Sequence, residues 1–155
     1  MGLNGGFSLP HPVPRFHGRV DHALDGKGRL VVPARFRERL GQGFKLTRGR
    51  GEKCLLLYPA VTWDEVSEQM EAAATKDSRY WNLVRRINSF TEDAECDAQG
   101  RLLIPAKHRE YAGLERDVVS LGNQRRVEIW APERLDEQTV SDEELEQFAA
   151  GLGLN

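Results

Sequence analysis

Residues Asp25–Glu38 read D-G-K-G-R-L-V-V-P-A-R-F-R-E, and residues Asp97–Glu110 read D-A-Q-G-R-L-L-I-P-A-K-H-R-E. At a constant offset of 72 positions, eight of the fourteen residues are identical: Asp25/Asp97, Gly28/Gly100, Arg29/Arg101, Leu30/Leu102, Pro33/Pro105, Ala34/Ala106, Arg37/Arg109 and Glu38/Glu110. Val32/Ile104 and Arg35/Lys107 are conservative. The register runs on without a gap. Gly41 meets Gly113, Leu55-Leu56-Leu57-Tyr58 meets Val127-Glu128-Ile129-Trp130, and Asp64-Glu65 meets Asp136-Glu137. Such self-similarity marks a tandem duplication. Two copies are too few for a solenoid, so a closed pseudo-twofold unit is the expected outcome.

Each copy spells the same series of elements, with separate strand and helix signals that make an α+β chain. Arg19–Leu24 alternates loosely and is broken by Asp25-Gly26-Lys27-Gly28, a strong turn signal. Arg29–Val32 follows as a short strand, which predicts a local hairpin. Pro33 suits the first turn of a helix over Ala34–Leu40 that Gly41 or Gly43 ends. Phe44–Thr47 and Cys54–Tyr58 form a second expected hairpin around Arg48-Gly49-Arg50-Gly51. In copy two the counterparts are Leu102–Ile104, Ala106–Ala112, Val118–Leu121 and Val127–Trp130, with Gly122-Asn123 at the turn.

Helices join and close the copies. Thr62-Trp63-Asp64-Glu65 fits a capping box, followed by Trp63, Val66, Met70 and Ala73 or Ala74 at helical spacing. Asp77 suits the cap of a second helix with Tyr80 or Trp81, Val84 and Ile87 on one face. Pro132 opens a short third piece, and Ser141-Asp142-Glu143-Glu144 is another capping box, before a helix that Gly151 stops. The organisation expected is an N-terminal extension over 1–15 (an upstream start or a disordered arm), repeats over 16–61 and 88–133, a helical linker over 62–87, and a C-terminal helix and tail over 134–155. The acidic helix from Asp136 to Ala150 either packs on its own barrel or serves as a docking surface for another protein.

Composition narrows the function. The chain has 155 residues, 39% hydrophobic and 30% charged, a globular balance that needs no disulfide or metal staple. The longest apolar run, Cys54–Tyr58, is far too short to cross a bilayer, and residues 1–14 have no basic start for a secretory signal. Cys54 and Cys96 lie outside any C-x-x-C pair and read as buried free thiols of a cytoplasmic protein. The formal net charge of −2 conceals an asymmetry. Residues 15–53 contain 11 Lys/Arg against 4 Asp/Glu, a net of +7, whereas residues 54–155 contain 11 against 20, a net of −9. A basic segment on a near-neutral chain suits one face presented to a polyanion, or a solvated surface.

Within the repeat, Gly28 and Gly100 suit a positive-φ turn, and Leu30, Val32, Leu102 and Ile104 suit the core. Arg29 and Arg101 stand four residues after Asp25 and Asp97, across that turn. An Asp–Arg ion pair would fix the hairpin, and a guanidinium so held is suited to a phosphate or a guanine edge. Lys27, with Arg35, Arg37 and Arg39 on the following turn, would add phosphate contacts or simply decorate a solvated helix. Signatures of catalysis are missing: no nucleophile elbow, phosphate loop or dinucleotide-binding loop stands in the sequence. His11, His17, His22 and His108 have no metal-ligand spacing. No enzyme, cofactor, metal or small-molecule substrate is expected.

The doubled D-x-x-G-R-[LI]-x-[IV]-P-x-x-x-R-E pattern, with C-L-L-L-Y-P after the first copy and E-I-W after the second, closely resembles the MraZ family. These are bacterial proteins with two tandem SpoVT-AbrB-like domains. The resemblance covers about Phe16 to Asp136. It implies a swapped-hairpin β-barrel, pseudo-twofold within one chain, and a transcriptional regulator, usually a repressor, of the division and cell-wall gene cluster. It also implies a ring of subunits on tandem G-rich promoter repeats of double-stranded DNA, in the cytoplasm at the nucleoid. The family's D-x-x-x-R motif carries DNA binding. That maps here onto Asp25 through Arg29, with Lys27 beside the arginine, and onto Asp97 through Arg101. Copy two has Gln99 in place of Lys27, which puts Arg29 ahead of Arg101. An antitoxin-like or scaffolding module on the same barrel is the alternative.

Overall fold

The computed structural model describes residues 13–154, so all but the last three residues of the expected N-terminal extension lie outside it. Copy one supplies β1 (Phe16–Ala23), β2 (Arg29–Val31), α1 (Ala34–Leu40), β3 (Phe44–Arg48) and β4 (Leu55–Pro59). A helical pair follows: α2 (Ala60–Lys76), a 3-10 turn over Ser78–Tyr80, and α3 (Trp81–Ser89). Copy two supplies β5 (Glu92–Ala94), β6 (Arg101–Leu103), α4 (Ala106–Ala112), β7 (Asp117–Gln124) and β8 (Arg126–Trp130). The chain ends with α5 (Pro132–Asp136) and α6 (Asp142–Gly151). The 72-residue offset carries β2 onto β6 and α1 onto α4 residue for residue.

The copies exchange strands. Six antiparallel strands run in the order β1-β7-β8-β4-β3-β5, and β2 pairs with β6 in a separate two-stranded ribbon. Thus β1 of copy one pairs with β7 of copy two, from Phe16↔Gln124 to Ala23↔Asp117. Reciprocally, β5 of copy two pairs with β3 of copy one. Strands β4 and β8 meet at the pseudo-twofold, Leu55 opposite Ile129. The larger sheet is open between β1 and β5, and the ribbon linked to both edges gives a barrel-like arrangement. The local hairpin expected between Arg19–Leu24 and Arg29–Val32 is absent as a ladder. Two backbone bonds, Asp25 N–H to the Arg29 carbonyl at 2.9 Å and Gly28 N–H to the Asp25 carbonyl at 3.0 Å, tie the turn, and each arm then finds its partner in the other copy.

One core fills the barrel, with Leu30, Val32, Phe36, Leu46, Leu55, Leu57, Leu102, Ile104, Val127 and Ile129 buried together. A second lies between the outer sheet face and the helical pair: Cys54, Leu56, Tyr58, Trp63, Val119 and Trp130, with Val66, Met70 and Ile87. Strand β4 serves both, because successive side chains point to opposite faces. That is why Cys54–Tyr58 is apolar without alternation. Both cysteines are free, and burial pushes the Cys54 thiol up to about 12.

Several boundaries differ from expectation. Helix α2 begins at Ala60 behind Pro59, so Thr62 is no cap; its hydroxyl is buried without a hydrogen-bond partner. Pro33 and Pro105 likewise stand at the N-cap and not inside the first turn. Strand β7 runs through Gly122-Asn123 to Gln124, whose φ of 62° makes the tight turn into β8. The Ser141 capping box forms as expected: Ser141 Oγ accepts from Glu144 N–H at 3.1 Å, and Glu144 accepts from Ser141 N–H at 2.9 Å. Helix α6 ends at Gly151, as expected, with Leu152 at the C-cap. It buries none of its residues against the barrel.

Candidate nucleic-acid interface

The site is built from two copies of one turn. Asp25 Oδ1 accepts from the backbone N–H of Lys27 at 2.8 Å and of Arg29 at 2.9 Å, a side-chain turn that short carboxylates favour. Its other oxygen accepts from Arg29 Nε at 2.7 Å. Copy two repeats this arrangement: Asp97 Oδ1 accepts from Gln99 and Arg101 N–H, both at 2.9 Å, and Oδ2 accepts from Arg101 Nε at 2.7 Å. The Arg29 N–H, with the guanidinium and the Lys27 N–H behind it, holds the Asp25 carboxyl down to about 2. Asp97 is lowered by the same kinds of contact, led by the Arg101 N–H. Both carboxylates are therefore ionised at neutral pH, and each fixes its guanidinium through Nε. Among the described residues the terminal nitrogens of Arg29 make no hydrogen bond, and one of Arg101 reaches only Gln99 Oε1, at 3.1 Å.

Strand register sets the two arginines relative to one another. In the β2–β6 ribbon Arg29 lies opposite Leu103, and Val31 opposite Arg101. Alternation then puts Arg29, Val31, Arg101 and Leu103 on one face and Leu30 and Leu102 on the other. The inner pair is buried in the barrel core. On the outer face Val31 is 52% and Leu103 59% exposed, so two apolar side chains share one four-residue patch with Arg29 and Arg101, each arginine directly opposite one of them. Only the inner residues were singled out from the sequence. The outer pair was hidden because V-V and L-I read as uniformly apolar until the ribbon's register separates its faces.

The remaining basic candidates divide. Lys27 is exposed on the first turn. Arg37 makes its contacts within the protein. Its Nη1 donates to the Val32 carbonyl at 2.8 Å, and its guanidinium packs against Gly100 of the other copy. Arg109 does the same for Ile104 and Gly28. Arg35 is exposed and packs beside Gly18, near the start of β1 and seven residues before Asp25 in the chain. The structure thus brings Asp25, Lys27 and Arg29 together on one turn, sets Asp97 and Arg101 on the other, lays the Arg37 guanidinium against Gly100 within that second turn, and leaves Arg35 beside Gly18.

A family model described as "MraZ protein, putative antitoxin-like" matches residues 16–83 and 89–151. The chain belongs to the MraZ family. A relative from Symbiobacterium thermophilum, named Transcriptional regulator MraZ, is 41% identical over 137 residues, covering 88% of this chain and 99% of its own. One of the same name from Desulfitobacterium hafniense is 45% identical over 116 residues, 75% of this chain and 80% of its own. A third, from Acetivibrio thermocellus, is 36% identical over 143 residues, 90% of this chain and 99% of its own. MraZ proteins are transcriptional regulators and not an enzyme family. Among the described residues no helix is long and apolar enough to cross a membrane, and no group of three or more His, Cys, Asp or Glu is placed to hold a metal ion.

Proposed function

We propose that this chain is a sequence-specific double-stranded DNA-binding regulator that presents the outer face of its β2–β6 ribbon to the bases. The observation that carries the reading is the pairing of Arg29 and Arg101, each anchored by an aspartate through Nε, on one face with exposed Val31 and Leu103. A two-stranded ribbon fits the major groove, where arginine pairs with guanine O6 and N7 and apolar side chains meet thymine methyl groups. Lys27 adds a phosphate contact at the first turn. On the family resemblance, the chain is a repressor of the division and cell-wall gene cluster. It binds tandem G-rich promoter repeats as a ring of subunits in the cytoplasm, at the nucleoid. Residues 16–61 and 88–133 are its two DNA-reading repeats, 62–87 the helical linker and 134–155 the C-terminal helix and tail.

Gel shifts with the protein's own upstream DNA against random DNA of equal length test the proposal. The upstream fragment is expected to shift at far lower protein concentration. Replacing Arg29→Ala removes a base contact of about 1–3 kcal/mol per site, roughly five- to 150-fold in affinity, with circular dichroism unchanged. Equal binding to both DNAs would sink sequence specificity, and a folded Arg29→Ala protein that binds as well as the wild type would remove the ribbon from the interface. The antitoxin-like alternative draws on the family description and on the exposed acidic α6. It predicts no preference for the upstream fragment.

A further inference from the structure

Helix α6 carries Leu145, Phe148 and, at its C-cap, Leu152, at the i, i+3 and i+7 spacing of a single helical stripe. All three are exposed, Phe148 to 66%, as is Leu154 just beyond. Among the described residues no element covers this stripe: every α6 residue is exposed except half-buried Ala149. Residues 135–154 are also uniformly acidic, with Asp136, Glu137, Asp142, Glu143, Glu144 and Glu146 and no Lys or Arg.

The opposite charge pattern stands on the helical pair. Helix α3 and the 3-10 turn before it bury no residue. Tyr80 and Leu83 are exposed there, Leu83 to 57%. Around them lie Lys76, Arg79, Arg85 and Arg86, with Asp77 the only acid over residues 76–89. Arg79 is paired with Asp77, but Arg85 reaches only Asn82 Oδ1, and the Arg86 guanidinium has no hydrogen bond among the described residues. Two exposed apolar stripes of opposite charge therefore sit on one chain, each without a partner among the described residues. Like-with-like pairing across a twofold would set carboxylate against carboxylate at α6, or guanidinium against guanidinium at α3.

We propose that α6 of one copy docks, apolar stripe inward, on the Tyr80–Leu83 face of the next copy. The acidic first turn of α6 then meets Arg85 and Arg86. The contact is head-to-tail, so each copy offers one donor helix and one acceptor face, and a rotation that closes generates a ring. This rests on the ring proposed above and names the surfaces that hold it.

Sedimentation velocity on the full chain and two variants, Phe148→Glu and Leu83→Glu, is the test; both positions are exposed, and circular dichroism checks the fold. The wild type is expected to sediment as an oligomer and each variant as a monomer. An equimolar mixture of the two should form dimers and nothing larger, because the pair retains one intact α6 and one intact acceptor face. The charge reversal Arg85→Glu/Arg86→Glu should likewise release monomers, and adding Glu143→Arg/Glu146→Arg to the same chain should restore assembly. If both single variants stay oligomeric, the docking is overturned and the ring stands. A mixture that stays monomeric overturns the pairing of α6 with α3. A wild-type chain that is monomeric at every concentration overturns the ring itself.

Discussion

Two arginines repeated in both copies illustrate how different the residue scale is once partners are known. Arg29 spends Nε on Asp25 and keeps its terminal nitrogens outward, whereas Arg37 donates into the Val32 carbonyl and lies against Gly100. The Arg37→Ala variant leaves a partly buried carbonyl unpaired, which costs about 1–3 kcal/mol, so its melting temperature should drop by several degrees. DNA affinity per folded molecule should be unchanged. Gly28 has φ of 77°, and a Cβ there would come within 2.9 Å of Arg109 Cζ. Gly28→Ala is therefore expected to destabilise the protein, seen as an earlier midpoint in urea. For Asp25 the folded-state pKa lies below the unfolded one, so its contribution is fully present above about pH 4 and is lost as pH falls toward about 2. The turn should then survive unaltered from pH 8 to pH 5. A turn that loosens within that range while circular dichroism shows the rest of the fold intact would show that Asp25 is not what holds Arg29 in place.

At the scale of elements, His108 shows how copy two departs from copy one, where Phe36 fills the matching core position. His108 is buried in α4; its Nε2 meets Glu92 of β5 at 2.6 Å, and its Nδ1 accepts from Arg48 Nε of β3 at 3.2 Å. One imidazole thus links α4 with an edge strand and its neighbour. Burial holds its pKa below the usual histidine range, against the opposing pull of Glu92. An Nδ1 that accepts from a guanidinium agrees with the neutral form. Here the unfolded state binds the proton more readily, so the stabilisation is complete above about pH 6.5 and fades as pH falls below it. His22, beside Ser120, is shifted the same way by burial. Urea melts at pH 7 and pH 5 should show the protein weaker at pH 5, with a smaller difference in His108→Phe. An identical difference in that variant would clear His108 of the effect.

The whole molecule is a strand exchange, and its predictions concern division and charge. Residues 13–61 alone would carry β1 without β7, β2 without β6 and β4 without β8. That fragment should not fold as a monomer. It should either stay unfolded or form a homodimer in which a true twofold replaces the internal one, which light scattering and circular dichroism can distinguish. The +7 of residues 15–53 is opposed by the acidic remainder. Basic residues of this segment that meet DNA release counterions there. The logarithm of affinity should fall linearly with that of salt, with a slope of about −0.9 for each phosphate neutralised. Affinity indifferent to salt would disconnect the basic segment from DNA.

Much of this was legible in the sequence because it depends on local chemistry. The 72-residue repeat, the Asp-x-x-Gly-Arg turns, the helical pair and the Ser141 cap rest on neighbours within a few residues. What stayed hidden depends on partners far along the chain. An alternating strand does not record which strand it joins, so β1 looked like half of a hairpin until β7 claimed it. Thr62 looked like a cap because its spacing to Glu65 was right, but Pro59 starts the helix early and puts Thr62 inside. The two copies, their turns and the Asp–Arg pairs follow from the chain alone, because the repeat is written in its residues and each turn with its ion pair closes over five of them without tertiary contact. That Arg37 lies against Gly100, that Val31 and Leu103 face outward and that α6 stays bare came only with the fold, because burial depends on which distant element comes to cover a side chain.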